Sequence, residues 1–199
     1  MTAGAARHPS RHWRTAHRYH LPNALTVLRL VAVPLFVWLL AHEGGRLTGW
    51  RLGAFAVFLA AVITDRYDGQ LARRWDRVTD FGKIADPIAD KALIGGGLVV
   101  LSLIGELTWW ATALILLREG LVTLVRFLVI RRGVIPAGRG GKVKTVVQSV
   151  AVGLYVLPLP GWLHPVEAVV MIAAVVLTVV TAREYLVAAY RLWRPARVR

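Results

Sequence analysis

The sequence contains no cysteine and has few acidic residues. The missing thiols exclude disulfides, thiolate nucleophiles and cysteine-ligated metals, so any bound metal must use oxygen or imidazole ligands. Only 18% of the 199 residues are charged, with 11 Asp+Glu against 25 Lys+Arg, and 56% are hydrophobic. Soluble domains average about 45–50% apolar and about 25% charged residues. This composition excludes a disordered or fibrous chain and favours a membrane protein.

The hydrophobic residues form runs long enough to cross a bilayer, which takes about 20 residues per helix. Six such runs lie at 24–41, 51–74, 82–104, 107–130, 141–158 and 165–187. We therefore predict an all-α integral membrane bundle of six transmembrane helices. A basic cytoplasmic or interfacial segment is expected at 1–22, the transmembrane domain at 23–190, and a basic cytoplasmic tail at 191–199.

The positive charges flank the apolar runs, which predicts the orientation of the chain. Lys and Arg cluster before the first run, between the second and third, between the fourth and fifth, and after the sixth. Cytoplasmic loops collect these residues, so both termini should be cytoplasmic. Tryptophans expected at the opposite interface are Trp38, Trp50, Trp109, Trp110 and Trp162. The partner of this basic chain is then membrane lipid, and no nucleic acid is expected.

Acidic residues concentrate at the junction of the second and third runs, where six of the 11 fall within 65–90. Asp65 and Asp68 share a helix face, and Gly69 and Ala72 continue that face with almost no side chain. On the next helix Gly82, Asp86 and Asp90 recur every four residues. Ionisable groups at membrane depth are costly and usually functional. The two stripes are therefore predicted to face each other.

Four neighbouring carboxylates need compensating positive charge, since like charges raise one another's pKa. Two hard divalent cations, Mg²⁺ or Mn²⁺, would provide it and would form a clamp suited to phosphoryl transfer. A diphosphate could rest against Gly69 and Ala72, with a phosphate oxygen held by Arg73. The alternative is a set of buried ion pairs with Arg66, Arg73, Arg77 and Lys91. Ion pairing does not, however, require small residues on the same faces.

The motif Asp65-x2-Asp68-Gly69-x2-Ala72-Arg73-x8-Gly82-x3-Asp86-x3-Asp90 resembles the signature of the CDP-alcohol phosphotransferases. Within that family, three further segments are similar to segments of bacterial phosphatidylglycerophosphate synthases. They are Leu21-Pro22-Asn23-Ala24-Leu25-Thr26-Val27-Leu28-Arg29, Arg118-Glu119-Gly120 and Gly141-Lys142-Val143-Lys144-Thr145-x2-Gln148. The resemblance extends over most of the chain.

This resemblance implies a six-helix enzyme of the bacterial inner membrane, usually a homodimer, with its active site on the cytoplasmic side. The 23–190 domain would transfer the phosphatidyl group of CDP-diacylglycerol to an acceptor alcohol and release CMP. In the family, the motif aspartates hold the metal ions and the last also serves as the proposed base. Carried over, the metal ligands are Asp65, Asp68, Asp86 and Asp90, with Asp90 catalytic. The residues against the CDP moiety would be Gly69, Ala72, Arg73 and Gly82.

Other residues limit the mechanism. All six histidines lie outside the motif, so a carboxylate base is expected. With no cysteine, and serine only at Ser10, Ser102 and Ser149, no covalent nucleophile is evident. We predict direct attack of the acceptor hydroxyl, deprotonated by Asp90 or polarised by a metal, on the lipid-side phosphorus.

The acceptor is predicted to bind basic residues that the motif does not explain: Arg118, Arg126, Lys142 and Lys144. Together they could bind the phosphate of glycerol 3-phosphate. Alternatively, Arg118 pairs with Glu119 and the lysines are ordinary cytoplasmic flanking charges. Arg183 could join the site or pair with Glu184. Asn23 could read the cytosine edge or cap the first helix.

Three functions compete for this sequence. A phosphatidylglycerophosphate synthase is the leading interpretation. A cardiolipin synthase that uses phosphatidylglycerol, or a synthase that uses inositol phosphate, is the alternative within the superfamily. A divalent-cation channel or carrier would also place acidic residues in membrane helices, but it does not account for the small residues and Arg73 at fixed offsets.

Overall fold

The computed structural model describes residues 13–74, 80–129 and 139–193, with side chains at 26–66, 87–129 and 140–191. This part of the chain is helical and contains no strand. Its α-helices are α1 (Trp13–Ala41), α2 (Thr48–Arg74), α3 (Asp80–Leu103), α4 (Trp109–Val129), α5 (Arg139–Val156) and α6 (His164–Trp193). Short 3-10 turns, His42–Gly45 and Gly161–Leu163, precede α2 and α6. The all-α prediction is confirmed.

Three segments of the described chain are long and apolar enough to cross a membrane: Thr48–Arg66 and two that include the 3-10 turns, Thr26–Gly45 and Gly161–Arg191. Many large apolar side chains also point outward, including Leu117 and Phe127, which are 72% and 69% exposed. Apolar surface on this scale requires a nonaqueous surrounding. The chain is thus an integral membrane protein.

The helix bounds differ from the predicted runs mainly at the start of α1 and at the end of α6, which continues to Trp193 beyond the predicted end at 187. α1 begins at Trp13, so the second half of the predicted interfacial segment is helical and continuous with the first span. α3 begins at Asp80, so Pro87 lies inside the helix. Hydrophobic periodicity marks the apolar part of a helix, whereas the backbone hydrogen bonds continue into the polar flanks.

The helix α3 is central because three consecutive glycines let its neighbours approach closely. A Cβ on Gly96 would lie 2.9 Å from Val37 Cγ2 of α1. A Cβ on Gly97 would lie 3.1 Å from Val152 Cγ1 of α5, and one on Gly95 would lie 3.2 Å from Leu116 Cδ2 of α4. The buried core surrounds this contact: Phe36, Leu40, Phe58, Leu98, Leu101, Ile115, Val152, Val156 and Met171.

Arg51, at the start of α2, connects this helix to the turn between α3 and α4 and to the end of α5. These segments lie at the end of the bundle where short loops join the helices. Its guanidinium donates to Glu106 Oε1 at 2.8 Å and to the carbonyls of Tyr155 and Val156 at 2.5 Å and 3.1 Å. These carbonyls end α5, where a positive charge also complements the helix dipole. Near this end, Trp38 and Trp50 pack edge to face with ring centroids 5.4 Å apart.

Candidate active site

At the other end of the bundle, Arg29 of α1 bridges two of the motif aspartates. Its Nη1 atom lies 2.7 Å from Asp65 Oδ1 of α2 and 3.4 Å from Asp90 Oδ1 of α3. The Arg29 side chain is 1% exposed, whereas those of Asp65 and Asp90 are 42% and 45% exposed. The carboxylates are therefore held from their buried side and remain accessible from the other.

The structure thus brings together the first and last aspartates of the motif. Asp68 and Asp86 belong to the same two helices, as do Gly69, Ala72, Arg73 and Gly82, but their side chains and surroundings lie outside the described residues. The side chain of Asn23 and the whole of residue Arg77 also lie outside the described residues. Among the side chains that are described, no three carboxylate or imidazole groups come together as a metal site.

Sequence reasoning missed the role of Arg29. It considered Arg66 and Lys91 as ion-pair partners, yet Arg66 is exposed and Lys91 donates to Thr123 Oγ1 of α4. The signal that could have identified Arg29 is its position. A charged residue inside an apolar helix requires a partner within the bundle, and the motif aspartates are the acidic residues predicted at the same end of the bundle as Arg29.

A second polar cluster joins α4 and α5 through Glu119. Its Oε1 atom accepts hydrogen bonds from Arg118 Nη1 at 3.0 Å and from Lys144 Nζ. The side chains of Arg118 and Lys144 are 12% and 7% exposed. Two of the residues predicted to bind the acceptor phosphate, Arg118 and Lys144, therefore share one carboxylate. The alternative pairing of Arg118 with Glu119 is present as well.

Hydrogen bonds extend this cluster to α6 and α3. Arg118 Nε donates to the Thr178 carbonyl at 3.0 Å, and Arg118 Nη2 donates to Thr181 Oγ1 at 2.8 Å. Thr123 Oγ1 donates to the Glu119 carbonyl at 2.6 Å and accepts from Lys91, the residue after Asp90. The cluster is thereby fixed to the helix that carries Asp90.

The remaining predicted cations are less constrained. Arg126 is exposed, with its guanidinium carbon 5.9 Å from the centre of the Tyr185 ring. Lys142 is also exposed, two positions before the buried Lys144 on α5. Arg183 is exposed and lines an apolar groove on α6 with Val179 and Leu186.

Comparison with known proteins decides the family. The profile of the CDP-alcohol phosphatidyltransferases matches residues 19–180, which is most of the chain. The chain belongs to the CDP-alcohol phosphatidyltransferase family. It is similar to a probable phosphatidylglycerophosphate synthase of Mycobacterium tuberculosis, with 55% identity over 172 residues, covering 86% of this chain and 82% of that protein.

More distant bacterial relatives carry a name of the same kind. CDP-diacylglycerol–glycerol-3-phosphate 3-phosphatidyltransferase of Rickettsia felis is 37% identical over 83% of this chain and 93% of its own length. The protein of that name from Bacillus subtilis is 34% identical over 84% of this chain and 93% of its own length. This phosphatidyltransferase is therefore a transferase enzyme, and the predicted resemblance is confirmed.

Members of the CDP-alcohol phosphatidyltransferase family use divalent metal ions, and the donor set fits that requirement. Asp65 and Asp90 offer carboxylate oxygens, the ligands that hard divalent cations prefer. Both side chains are accessible, converge from separate helices and have one positive charge behind them. A site with this charge balance can take up further cations together with an anionic phosphate.

Proposed function

We propose that this phosphatidyltransferase moves the phosphatidyl group of CDP-diacylglycerol to glycerol 3-phosphate, giving phosphatidylglycerophosphate and CMP. The observation that carries the proposal is the convergence of Asp65 and Asp90 on Arg29 in a chain whose relatives are named for this reaction. The sequence motif supports a role for Asp68 and Asp86 as additional ligands of two divalent cations. The proposed CDP contacts are Gly69, Ala72, Arg73 and Gly82.

In the proposed mechanism, Asp90 accepts the proton of the acceptor hydroxyl. The freed oxygen attacks the lipid-side phosphorus, a new phosphorus–oxygen bond forms, and the bond to the CMP oxygen breaks. Asp65, Asp68, Asp86 and Asp90 would hold two divalent cations, Mg²⁺ or Mn²⁺, which would neutralise the negative charge that develops on the phosphate oxygens. No covalent enzyme intermediate is required.

The acceptor phosphate is proposed to bind near the cluster around Glu119. Arg118 and Lys144 contribute two buried cations against one carboxylate, which leaves a net positive charge for an anion. Arg126 and Lys142 are exposed and add positive charge on the same two helices. A doubly charged phosphomonoester fits this balance better than an uncharged alcohol does.

The proposal includes six membrane spans with both termini and the active site on the cytoplasmic side. It is supported by the Lys and Arg of the polar connections and by the tryptophans at the opposite end. The family resemblance further supports a homodimer in the bacterial inner membrane.

An assay of CMP release tests the function. Purified protein with CDP-diacylglycerol and Mg²⁺ should release CMP when glycerol 3-phosphate is added, and much less with phosphatidylglycerol or inositol phosphate. Preference for either of the latter would assign the chain to a cardiolipin synthase or an inositol-phosphate-using synthase.

The role of Asp90 is tested by Asp90→Asn, which keeps the size of the side chain and removes the base. We expect donor binding to survive while turnover falls by about two to four orders of magnitude. Asp76→Asn, at an aspartate that is not one of the fixed positions of the motif, is the matched control and should retain turnover. Near-normal turnover of Asp90→Asn would contradict the assigned role.

A further inference from the structure

Arg29 occupies an unusual position for a cation, since its side chain is almost completely buried inside a membrane helix. Burying a charge there is costly unless it is paired within the protein. Its Nη1 atom contacts Asp65 and Asp90, which come from the two helices against which α1 packs most extensively. The Arg29 guanidinium therefore fixes the distance between two carboxylates that lie on different helices.

The geometry separates Arg29 from the substrates. At 1% exposure it lies behind the carboxylates, whose side chains are 42% and 45% exposed on the accessible side. A residue so placed acts on a ligand through the carboxylates that it contacts, Asp65 and Asp90. Mutation of a group that orients metal ligands from behind typically lowers the metal affinity by about 10- to 100-fold.

We propose that Arg29 is a positioning residue that orients Asp65 and Asp90 for divalent-cation binding and thereby strengthens that binding. The inference rests on the proposed metal site and adds to it a residue of α1. Two opposing effects meet at Arg29: its positive charge repels an incoming cation, and its hydrogen bonds preorganise the ligands. The close double contact from a buried position makes the second effect dominant.

Substitutions at Arg29 can separate charge from geometry. Arg29→Lys keeps the positive charge, but its side chain ends one bond short of Nη1 and has no planar guanidinium. Arg29→Gln removes the charge as well. Arg66→Gln is the matched control, because Arg66 is exposed and adjacent to Asp65 and carries the same charge.

The experiment measures Mn²⁺ binding to the full-length protein in detergent by electron paramagnetic resonance, which does not depend on turnover. Helical content by circular dichroism confirms folding of each variant, with Arg29→Lys as the conservative change. We expect the Mn²⁺ dissociation constant to rise by about 10- to 100-fold in both Arg29 variants. In Arg66→Gln it should stay within about twofold of the wild-type value, because the carboxylate geometry is kept.

Three results would overturn the inference. Wild-type affinity in both Arg29 variants would show that the contact does not orient the ligands, and tighter binding would show that Arg29 only repels cations. An equal loss of Mn²⁺ affinity in Arg66→Gln would show that the effect comes from removing any nearby positive charge and not from the position of Arg29. A wild-type protein that bound no Mn²⁺ would instead contradict the proposed metal site, so the two failures are distinguishable.

Discussion

Replacing Glu119 by Gln should loosen the contact between α4, α5 and α6. Glu119 Oε1 is shared by Arg118 and Lys144, and the three side chains are 21%, 12% and 7% exposed. Breaking a buried ion pair by removing one partner costs about 3–5 kcal/mol. The glutamine carbonyl still accepts one hydrogen bond and part of Glu119 is exposed, so we expect a loss of about 2–3 kcal/mol.

Reversible unfolding in mixed micelles measures this loss, and Lys144→Met completes a double-mutant cycle. Because the two residues share a direct contact, the double variant should be more stable than the sum of the single losses predicts, by about 1 kcal/mol or more. Glu184→Gln, at an exposed glutamate of α6, is the control and should change stability by no more than about 0.5 kcal/mol. Additive losses in the cycle would refute the reasoning.

The same Glu119 variant tests the proposed acceptor site. If Arg118 and Lys144 bind the acceptor phosphate, releasing them from Glu119 disturbs their arrangement. The KM for glycerol 3-phosphate should then rise about tenfold, since one charge-assisted hydrogen bond of about 1.5 kcal/mol corresponds to that factor. The KM for CDP-diacylglycerol should change little. Equal changes in both KM values would indicate a general loss of structure.

Two further predictions concern stability at positions away from the aspartates. Arg51→Met should lower the free energy of unfolding by about 3 kcal/mol, because Glu106 and the α5 carbonyls lose a shared donor. Activity below the melting temperature should persist, since Arg51 lies about 20 Å along α2 from Asp65. The exposed Arg46→Met is its control, and an equal melting temperature of the two variants would contradict the role of Arg51. Gly97→Ala should cost about 1–3 kcal/mol because its Cβ would crowd Val152 and Phe36, whereas Gly120→Ala, with open space around its Cβ, should be neutral or stabilising. Unfolding curves of the alanine variants decide this, and an undiminished stability of Gly97→Ala would show that α3 has room to shift.

Much of the fold follows from local patterns. Long apolar runs predict helices because a bilayer leaves backbone groups no other partners, and the observed helices overlap all six predicted runs. The helix ends were harder to predict, as the early start of α1 at Trp13 shows. Polar residues at the end of a helix keep its hydrogen bonds without extending its apolar pattern.

The candidate site divides in the same way. The spacing of Asp65 and Asp90 within their own helices, together with the motif around them, was sufficient to predict the family. The cations of the predicted acceptor site were also recognisable as charges that an apolar helix does not need. The spacing of residues along the sequence does not reveal which basic residue pairs with which acidic residue on another helix, since many pairings are compatible with the same sequence.

The sequence by itself determined the helical class, through its apolar runs, and the family, through the resemblance of its motif, because both depend on residues and intervals within single helices. Only the tertiary structure decided that Arg29 stands between Asp65 and Asp90 and that Glu119 joins Arg118 to Lys144. Such pairings depend on how far each helix is shifted and rotated against its neighbours. In this bundle that is set by close packing, as at the glycines of α3, which no interval along the chain records.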